Sequence, residues 1–296
     1  MKGIFIILTY IAFFLSDHAG AQTPSPNPVV NKNISKTVLL KPEDVFDITG
    51  EKASLIIKGW EKEHAEIQIT FSAEHSSLQV AAREVEYMHY SLSRDNNSVE
   101  LRNAFFLPSH VDRIESKVRV VMMLHVPRAM ALKVHNKYGD VELSDVSGII
   151  TMTINFSDLM LNNVSGKMNI RSSYCEVRGQ GLSLSTFTSV DQESKYRLSL
   201  NRGVYRFTSK FGDIDLTLGT IQSLLVDAAH TDVTIQPKDP SSFNYQLTNN
   251  DGRIYLPRAF GDIIKKENNH SKVLLTQKSG SPLLDIKTSF NTITIQ

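Results

Sequence analysis

Three hexapeptides near the middle of the chain repeat one pattern at one interval. They are Tyr138-Gly-Asp-Val-Glu-Leu143, Phe156-Ser-Asp-Leu-Met-Leu161 and Tyr174-Cys-Glu-Val-Arg-Gly179. The leading aromatics are 18 residues apart, and each is followed by a small residue, a carboxylate and an aliphatic. Looser copies follow in Phe211-Gly-Asp-Ile-Asp-Leu216, His230-Thr-Asp-Val-Thr-Ile235 and Phe290-Asn-Thr-Ile-Thr-Ile295. A fixed period of this size marks one supersecondary unit stacked on copies of itself. The repeat therefore constrains the fold before any single element is considered.

Each unit divides the same way. Asp140-Val-Glu-Leu143 reads as a short strand, Ser144-Asp-Val-Ser-Gly148 as a turn and Ile149 to Ile154 as a second strand. The next unit repeats this with Leu159-Met-Leu161, Asn162-Asn-Val-Ser-Gly166 and Lys167-Met-Asn-Ile170. Gly148 and Gly166 share the period of the aromatics, and the pattern predicts positive φ at these turn glycines. Val146 and Val164 inside the turns predict a corner that packs inward. A strand-turn-strand-turn unit of this length wraps once around a β-solenoid, pairing with the coils above and below at about 4.8 Å. One coil cannot bury its own apolar face, so the stack makes the core.

The predicted fold is all-β: a parallel β-solenoid, β-helix-like, of about 18–20 residues per coil, preceded by an N-terminal β-sheet cap region. Residues 1–21 read as a signal peptide, with Lys2, an apolar run from Ile4 to Leu15 and Ala19-Gly20-Ala21 before Gln22. Residues 22–36, opening with Thr23-Pro-Ser-Pro-Asn-Pro28, read as a flexible Pro-rich spacer. Residues 37–131 form the β cap or entry region and residues 132–296 the solenoid. In the cap, Ala53 to Lys58, Ala65 to Thr70, Ser98 to Leu101 and Lys117 to Val126 read as strands, the last stopped by Pro127. Leu78 to Tyr90 fits a short helix or a strand. Gln180 to Arg206 is expected to contain an insertion that bulges from a corner, leaving the coil register open there and after Asn250. Left exposed, the C-terminal strand, Thr292 to Gln296, would be a sticky edge, so a partner or a loop is expected to cover it.

No apolar run after residue 21 approaches the roughly 20 residues of a transmembrane helix. Cys175 is the only cysteine, so no intrachain disulfide can form and stability must come from a buried core. The 32 basic residues nearly balance the 31 acidic ones, which argues against a nucleic-acid partner.

The Tyr-Gly-Asp-Val-x-Leu step, its copies and the lead-in Leu124-His-Val-Pro127 resemble the bacterial putative adhesin family. These are exported β-strand-repeat envelope proteins, many of them domains of unknown function. The resemblance spans roughly Ala53 to Ile295 and is strongest from 118 to 216. It implies a right-handed β-solenoid-like body in the periplasm or at the cell surface, and it brings no catalytic residues.

Asp140, Asp158, Glu176, Asp213 and Asp232 occupy one place in successive units. Stacked, they either hydrogen-bond the turn backbone and face water or repel one another and invite a cation such as Ca²⁺. The first reading is favoured, and the glycine-rich nonapeptide of calcium β-rolls is absent. Tyr138, Phe156 and Tyr174 form a second column, expected to fill or shield a corner and, if exposed, to be the best ligand face. His125 and His135 flank the Pro127 turn; they read as unrelated surface or satisfied core positions, the less favoured alternative being a meeting across a hairpin. Cys175 reads as a small buried residue, and Ser147 and Ser165 as turn residues. Lys117, Arg119 and Arg128 make a modest basic cluster, either a solvated strand face or a seat for an acidic glycan.

No catalytic, cofactor or metal residue is assigned, and no cofactor is expected. The predicted function is that of a non-enzymatic exported envelope protein, a structural or adhesive module for an envelope protein or glycan. Two alternatives remain open. One is a carbohydrate-active enzyme, a polysaccharide lyase or hydrolase, using Asp140/Asp158 or Asp213/Asp232; the other is a periplasmic sensor or regulatory partner.

Overall fold

The computed structural model describes residues 27–296; the predicted signal peptide and the first part of the spacer lie outside them. The chain opens with β1 (Val29–Leu39), β2 (Val45–Glu51), β3 (Ala53–Trp60) and β4 (His64–Glu74). A seven-residue helix, α1 (Leu78–Glu84), and a 3-10 turn lead into β5 (Met88–Asp95), β6 (Ser98–Phe105) and β7 (Lys117–Pro127). Then come β8 (Ala131–Lys137), β9 (Val141–Ser144), β10 (Ile149–Asn155), β11 (Asp158–Asn162) and β12 (Ser165–Ser173). They are followed by β13 (Glu176–Gln192), β14 (Lys195–Lys210), β15 (Asp213–Leu218), β16 (Ser223–Ala229) and β17 (Asp232–Pro237). The last elements are β18 (Asn244–Asn250), β19 (Arg253–Tyr255), β20 (Lys265–Glu267), β21 (His270–Leu275), β22 (Leu283–Ser289) and β23 (Thr292–Ile295).

The expected solenoid is present, and each coil contributes one strand to each of two sheets. The front sheet runs β5-β6-β2-β8-β10-β12, then the second halves of β13 and β14, then β16-β22-β18-β21-β20. The back sheet runs β1-β4-β7-β3-β9-β11, then the first halves of β13 and β14, then β15-β17-β23-β19. Pairing is parallel throughout the middle; the antiparallel strands β1, β4, β5, β20 and β21 lie at the two ends of the stack.

Every coil turns from front to back through one residue in the left-handed region. That position falls on Lys52 (φ 51°), Tyr138 (60°), Phe156 (53°), Tyr174 (56°), Glu193 (51°), Phe211 (58°), His230 (51°), Asp251 (58°) and Phe290 (72°). Its amide donates to the coil above, as Phe156 does to Ser173 O at 3.0 Å and Tyr174 to Gln192 O at 3.0 Å, so the ladder continues around the bend. The return turn uses Asp145 (58°), Asn163 (53°) and Gly181 (67°). Val146 and Val164 are buried there, as their pattern predicted. Gly166 has the expected positive φ, at 88°, but Gly148 does not. What Gly148 supplies is clearance, since a Cβ would lie 2.0 Å from Met130 O.

Alternation along each strand sends aliphatic side chains from both sheets into one core. Near the middle the filling is aromatic: Phe187 lies 5.1 Å from Phe207, and Tyr196 of the back sheet meets Phe207 of the front edge-on at 5.8 Å.

Three expectations are corrected. The spacer drawn over 22–36 overlaps β1, which pairs with β4 along its full length. The boundary at 131/132 does not separate two architectures, because β2 and β3 stack in parallel register on β8 and β9. The insertion expected within Gln180 to Arg206 is one extra residue, absorbed by bulges between Gly179 and Thr186 in a coil that turns at Glu193. The C-terminal strand is not an edge for a partner or a loop to cover: β23 is held between β17 and β19, and β22 between β16 and β18. The coil written last is therefore the penultimate one in space.

Candidate functional site

The acidic column is real, and it opens the back sheet just past the bend. Asp158 pairs in register with Glu176, Glu176 with Lys195, Lys195 with Asp213, and Asp213 with Asp232. Lys195 thus interrupts the carboxylates. Glu176 is bound by Arg178 at 2.6 Å and Arg197 at 3.1 Å, and Lys195 reaches Asp213 at 3.3 Å. Burial pushes the Asp232 carboxyl up, but the Thr292 hydroxyl at 2.6 Å and amide at 2.9 Å more than offset it, leaving the pKa lowered. Such a carboxylate stays ionised near neutrality and is poorly suited to donate a proton. Asp140 and Asp158 line a shallow depression with Arg119, Glu142 and Arg178. Among the described residues no three His, Cys, Asp or Glu converge as metal ligands.

The aromatic column stands on the bend itself. Tyr138 and Phe156 stack at 5.1 Å and 17°, and Phe156 and Tyr174 at 4.9 Å and 3°. A second stack follows: Phe211 on His230 at 4.9 Å and His230 on Phe290 at 4.4 Å. Glu193 separates the two stacks, and its carboxylate beside the Tyr174 hydroxyl raises that phenol's pKa. Tyr138, Phe156 and Tyr174 are each 47% exposed. Their faces cover one another, and the Lys137 ammonium lies over Tyr138 at 4.8 Å. Ring edges and the tyrosine hydroxyls point to solvent, giving a ridge of apolar edges along the molecule. The chain thus makes the column both a corner shield and an exposed surface.

Beneath the ridge runs a buried polar row. Ser172 contacts the Ser194 hydroxyl at 3.2 Å and Tyr196 OH at 2.9 Å, and the Ser209 hydroxyl donates to Asp191 at 2.6 Å. Asp191 is 5% exposed, and burial raises its carboxyl to about 7. Neither Asp191 nor Glu193 was anticipated. The signals were present: Asp191 occupies an inward position in the alternation, and Glu193 stands at the coil interval between Tyr174 and Phe211.

Cys175 is buried, as expected, and its thiol contacts Ile154 O at 3.3 Å and Ser173 O at 3.2 Å. Burial raises its pKa, which leaves it an unreactive thiol. Ser147 belongs to the return turn, as expected, whereas Ser165 already opens β12, its amide donating to Val146 O at 2.9 Å. The structure does not bring His125 and His135 together. His125 belongs to the back sheet and stacks on Trp60 at 5.1 Å, whereas His135 belongs to the front sheet. The basic cluster disperses for a similar reason. Lys117 and Arg119 open β7, while Arg128 lies beyond its far end and pairs with Glu61 at 3.0 Å.

No helix among the described residues is long and apolar enough to cross a membrane. The profile of the family described as Toastrack DUF4097 matches residues 31–296. No curated protein matches the chain. Among solved structures, a putative adhesin from Parabacteroides merdae is similar at 11% identity, covering 90% of this chain and 96% of that one, with a TM-score of 0.51. A putative adhesin from Bacteroides fragilis shares 11% identity over 90% and 97% of the two chains at a TM-score of 0.40. A putative cell adhesion protein from Clostridium sporogenes shares 12% over 89% and 99% at 0.30. At these identities the likeness is one of fold.

Proposed function

Since the chain belongs to the Toastrack DUF4097 family, we propose that it is a non-enzymatic envelope protein that works by binding, an adhesin-like module carried on a rigid stack. The observation behind this reading is the corner ridge. Six rings, half in solvent, stand in two in-register stacks along one edge of the molecule. Clustered exposed rings rimmed by polar residues mark interaction sites more often than idle surface. The coil spacing fixes the rings relative to one another before any partner arrives, so little ordering entropy is lost on contact. The adhesin description of the Parabacteroides merdae structure agrees with a binding role. Export is part of the proposal and is supported by Lys2, the apolar run from Ile4 and Ala19-Gly20-Ala21.

Two measurements test this reading. Fractionation with intact-mass analysis should find the mature chain outside the cytoplasm, beginning at Gln22. A screen against envelope glycans and surface proteins should yield a ligand whose binding is lost in a Tyr138→Asn, Phe156→Asn, Tyr174→Asn triple variant that still melts cooperatively. Retained binding by that variant would remove the ridge from the proposal, and a cytoplasmic chain keeping its first 21 residues would remove export.

A further inference from the structure

The middle of the front sheet carries charges of one sign. On its outward side, over β12 and the second half of β14, stand Lys167, Arg171, Arg206 and Lys210, all exposed. None of the four is in an ion pair among the described residues. Elsewhere on this sheet, Lys133 reaches Asp47 at 2.8 Å and Lys287 reaches Asp285 at 3.6 Å, while Lys137 and the end-strand lysines Lys265, Lys266 and Lys272 are, like these four, outside any ion pair among the described residues. The nearest outward carboxylate in register is Asp227, opposite Thr208 on the neighbouring strand.

Between the cations, the outward side chains are Thr153, Asn169, Thr188 and Gln192, neutral groups that donate and accept hydrogen bonds. Ile149, Val190 and Val204 add exposed aliphatic surface. The two cation-bearing strands are separated by one strand, so their charges repeat at about 10 Å along the stack. The face ends at the aromatic ridge, since Ser173 and Lys210 immediately precede Tyr174 and Phe211. The back sheet at the same level mixes both signs, with Glu176 held by Arg178 and Arg197 and Asp213 by Lys195.

We propose that this face binds a linear anionic polysaccharide of the uronate kind. Its carboxylates would lie on Lys167, Arg171, Arg206 and Lys210, its hydroxyls on the threonine and amide rows, and its C–H surfaces on Val190 and Val204. The inference rests on the binding-module reading and adds to it a surface and a ligand class. Charge complementarity selects the occupant. A planar anionic membrane lying across the ridge would meet Asp140, Asp158 and Glu176 two residues beyond each ring, whereas a thin polymer can follow one side only. A second copy of the chain would have to offer its back sheet, whose Glu176 and Asp213 are held by their own partners.

The test uses the mature chain and oligogalacturonate, with a neutral dextran oligomer, anionic phospholipid vesicles and single-stranded DNA as the other probes. Oligogalacturonate should bind, dextran should not, and affinity should fall with salt. Arg171→Glu with Arg206→Glu should weaken binding about tenfold or more. Lys36→Glu with Lys238→Glu, the same charge change elsewhere, should leave it unchanged. An Arg171→Gln, Arg206→Gln pair should give an intermediate loss at an unaltered melting temperature, which separates lost contact from lost fold. The proposal is overturned if the reversed variant binds like the parent, or if vesicles or DNA bind and oligogalacturonate does not. If another ligand binds through the ridge alone, this inference fails while the binding-module reading stands. If neither this assay nor the envelope screen finds a ligand, both fall.

Discussion

Tyr138, Phe156 and Tyr174 hold a backbone conformation that costs an ordinary residue about 1–2 kcal/mol, and stacking explains why large side chains sit there. Each ring pair returns roughly 0.5–1.5 kcal/mol beyond its buried area, so Phe156, stacked on both sides, offsets its own strain. Phe156→Asn keeps a residue tolerant of that conformation and loses only the stacking. Phe156→Val adds a β-branched side chain in a region that disfavours it. In urea denaturation, the valine variant should be the less stable by about 1 kcal/mol or more, and equal stabilities would contradict this account. Asp191 makes a second prediction. Its folded pKa of about 7 lies above the ordinary carboxylate value. In the lower acid range both states keep the proton, and stability is full. As pH rises past about 4 the unfolded chain releases its proton first, so stability falls toward pH 7 and then levels. Asp191→Asn should remove that slope, and its advantage should grow to a few kcal/mol between acid and neutral pH. Thermal melts across that range would show a constant gap if the idea is wrong. The aromatic column was legible because the side chains repeat; Glu193 was not, because the position repeats while its chemistry changes.

Among the elements, β13 and β14 show how a solenoid tolerates irregularity. Both run through the return turn with their ladders bulged but unbroken, so a coil of different length keeps its neighbours in register. The return turn itself is strict. At Gly166 the φ of 88° combines with Gly148 O and Ser147 O only 2.3 Å from where a Cβ would lie. Gly166→Ala should therefore destabilise well beyond the roughly 1 kcal/mol of a left-handed alanine. Gly181, with φ 67° and no atom nearer than 3.4 Å, stands where Asp145 and Asn163 stand in the earlier coils and should lose only about that amount on the same change. Urea midpoints for the two variants test the difference, and equal losses would show that the close approach does not matter. The segment from Leu78 to Tyr90 stayed ambiguous for a tertiary reason. The buried Glu84 carboxylate accepts the amides of Glu115 at 3.1 Å and Ser116 at 2.7 Å, so a distant loop anchors the short helix and no local periodicity announces it. The spacer overlapped β1 because the prolines drew attention from the residues after them, which β4 recruits into the sheet.

Across the molecule, chain order and stacking order part company at both ends. β6 and β7 follow β2 and β3 in sequence yet stack outside them, while β22 and β23 close the sequence yet lie inside β18 and β19. The C-terminal segment is thus an internal layer. Removing residues 283–296 should do more than fray an edge: it leaves β16 and β17 without their outer partners and strands β18 and β19. Loss of the cooperative melt and rapid proteolysis beyond residue 237 are expected, and a truncated chain that melts like the parent would contradict this stacking order.

The 18-residue interval determined, without coordinates, where the coils bend and that their strands pair in parallel, because each bend makes a local demand on backbone and side chain that repeats with the chain. The valine inside each return turn, Val146 and Val164, likewise marked a corner that packs inward. Which coil lies beside which at the ends, and that four cations gather uncompensated on one sheet, only the tertiary structure decided. Every coil offers its neighbour the same backbone edge, so pairing partners carry no local signature. The charges of separate coils become one surface only after the stack is assembled.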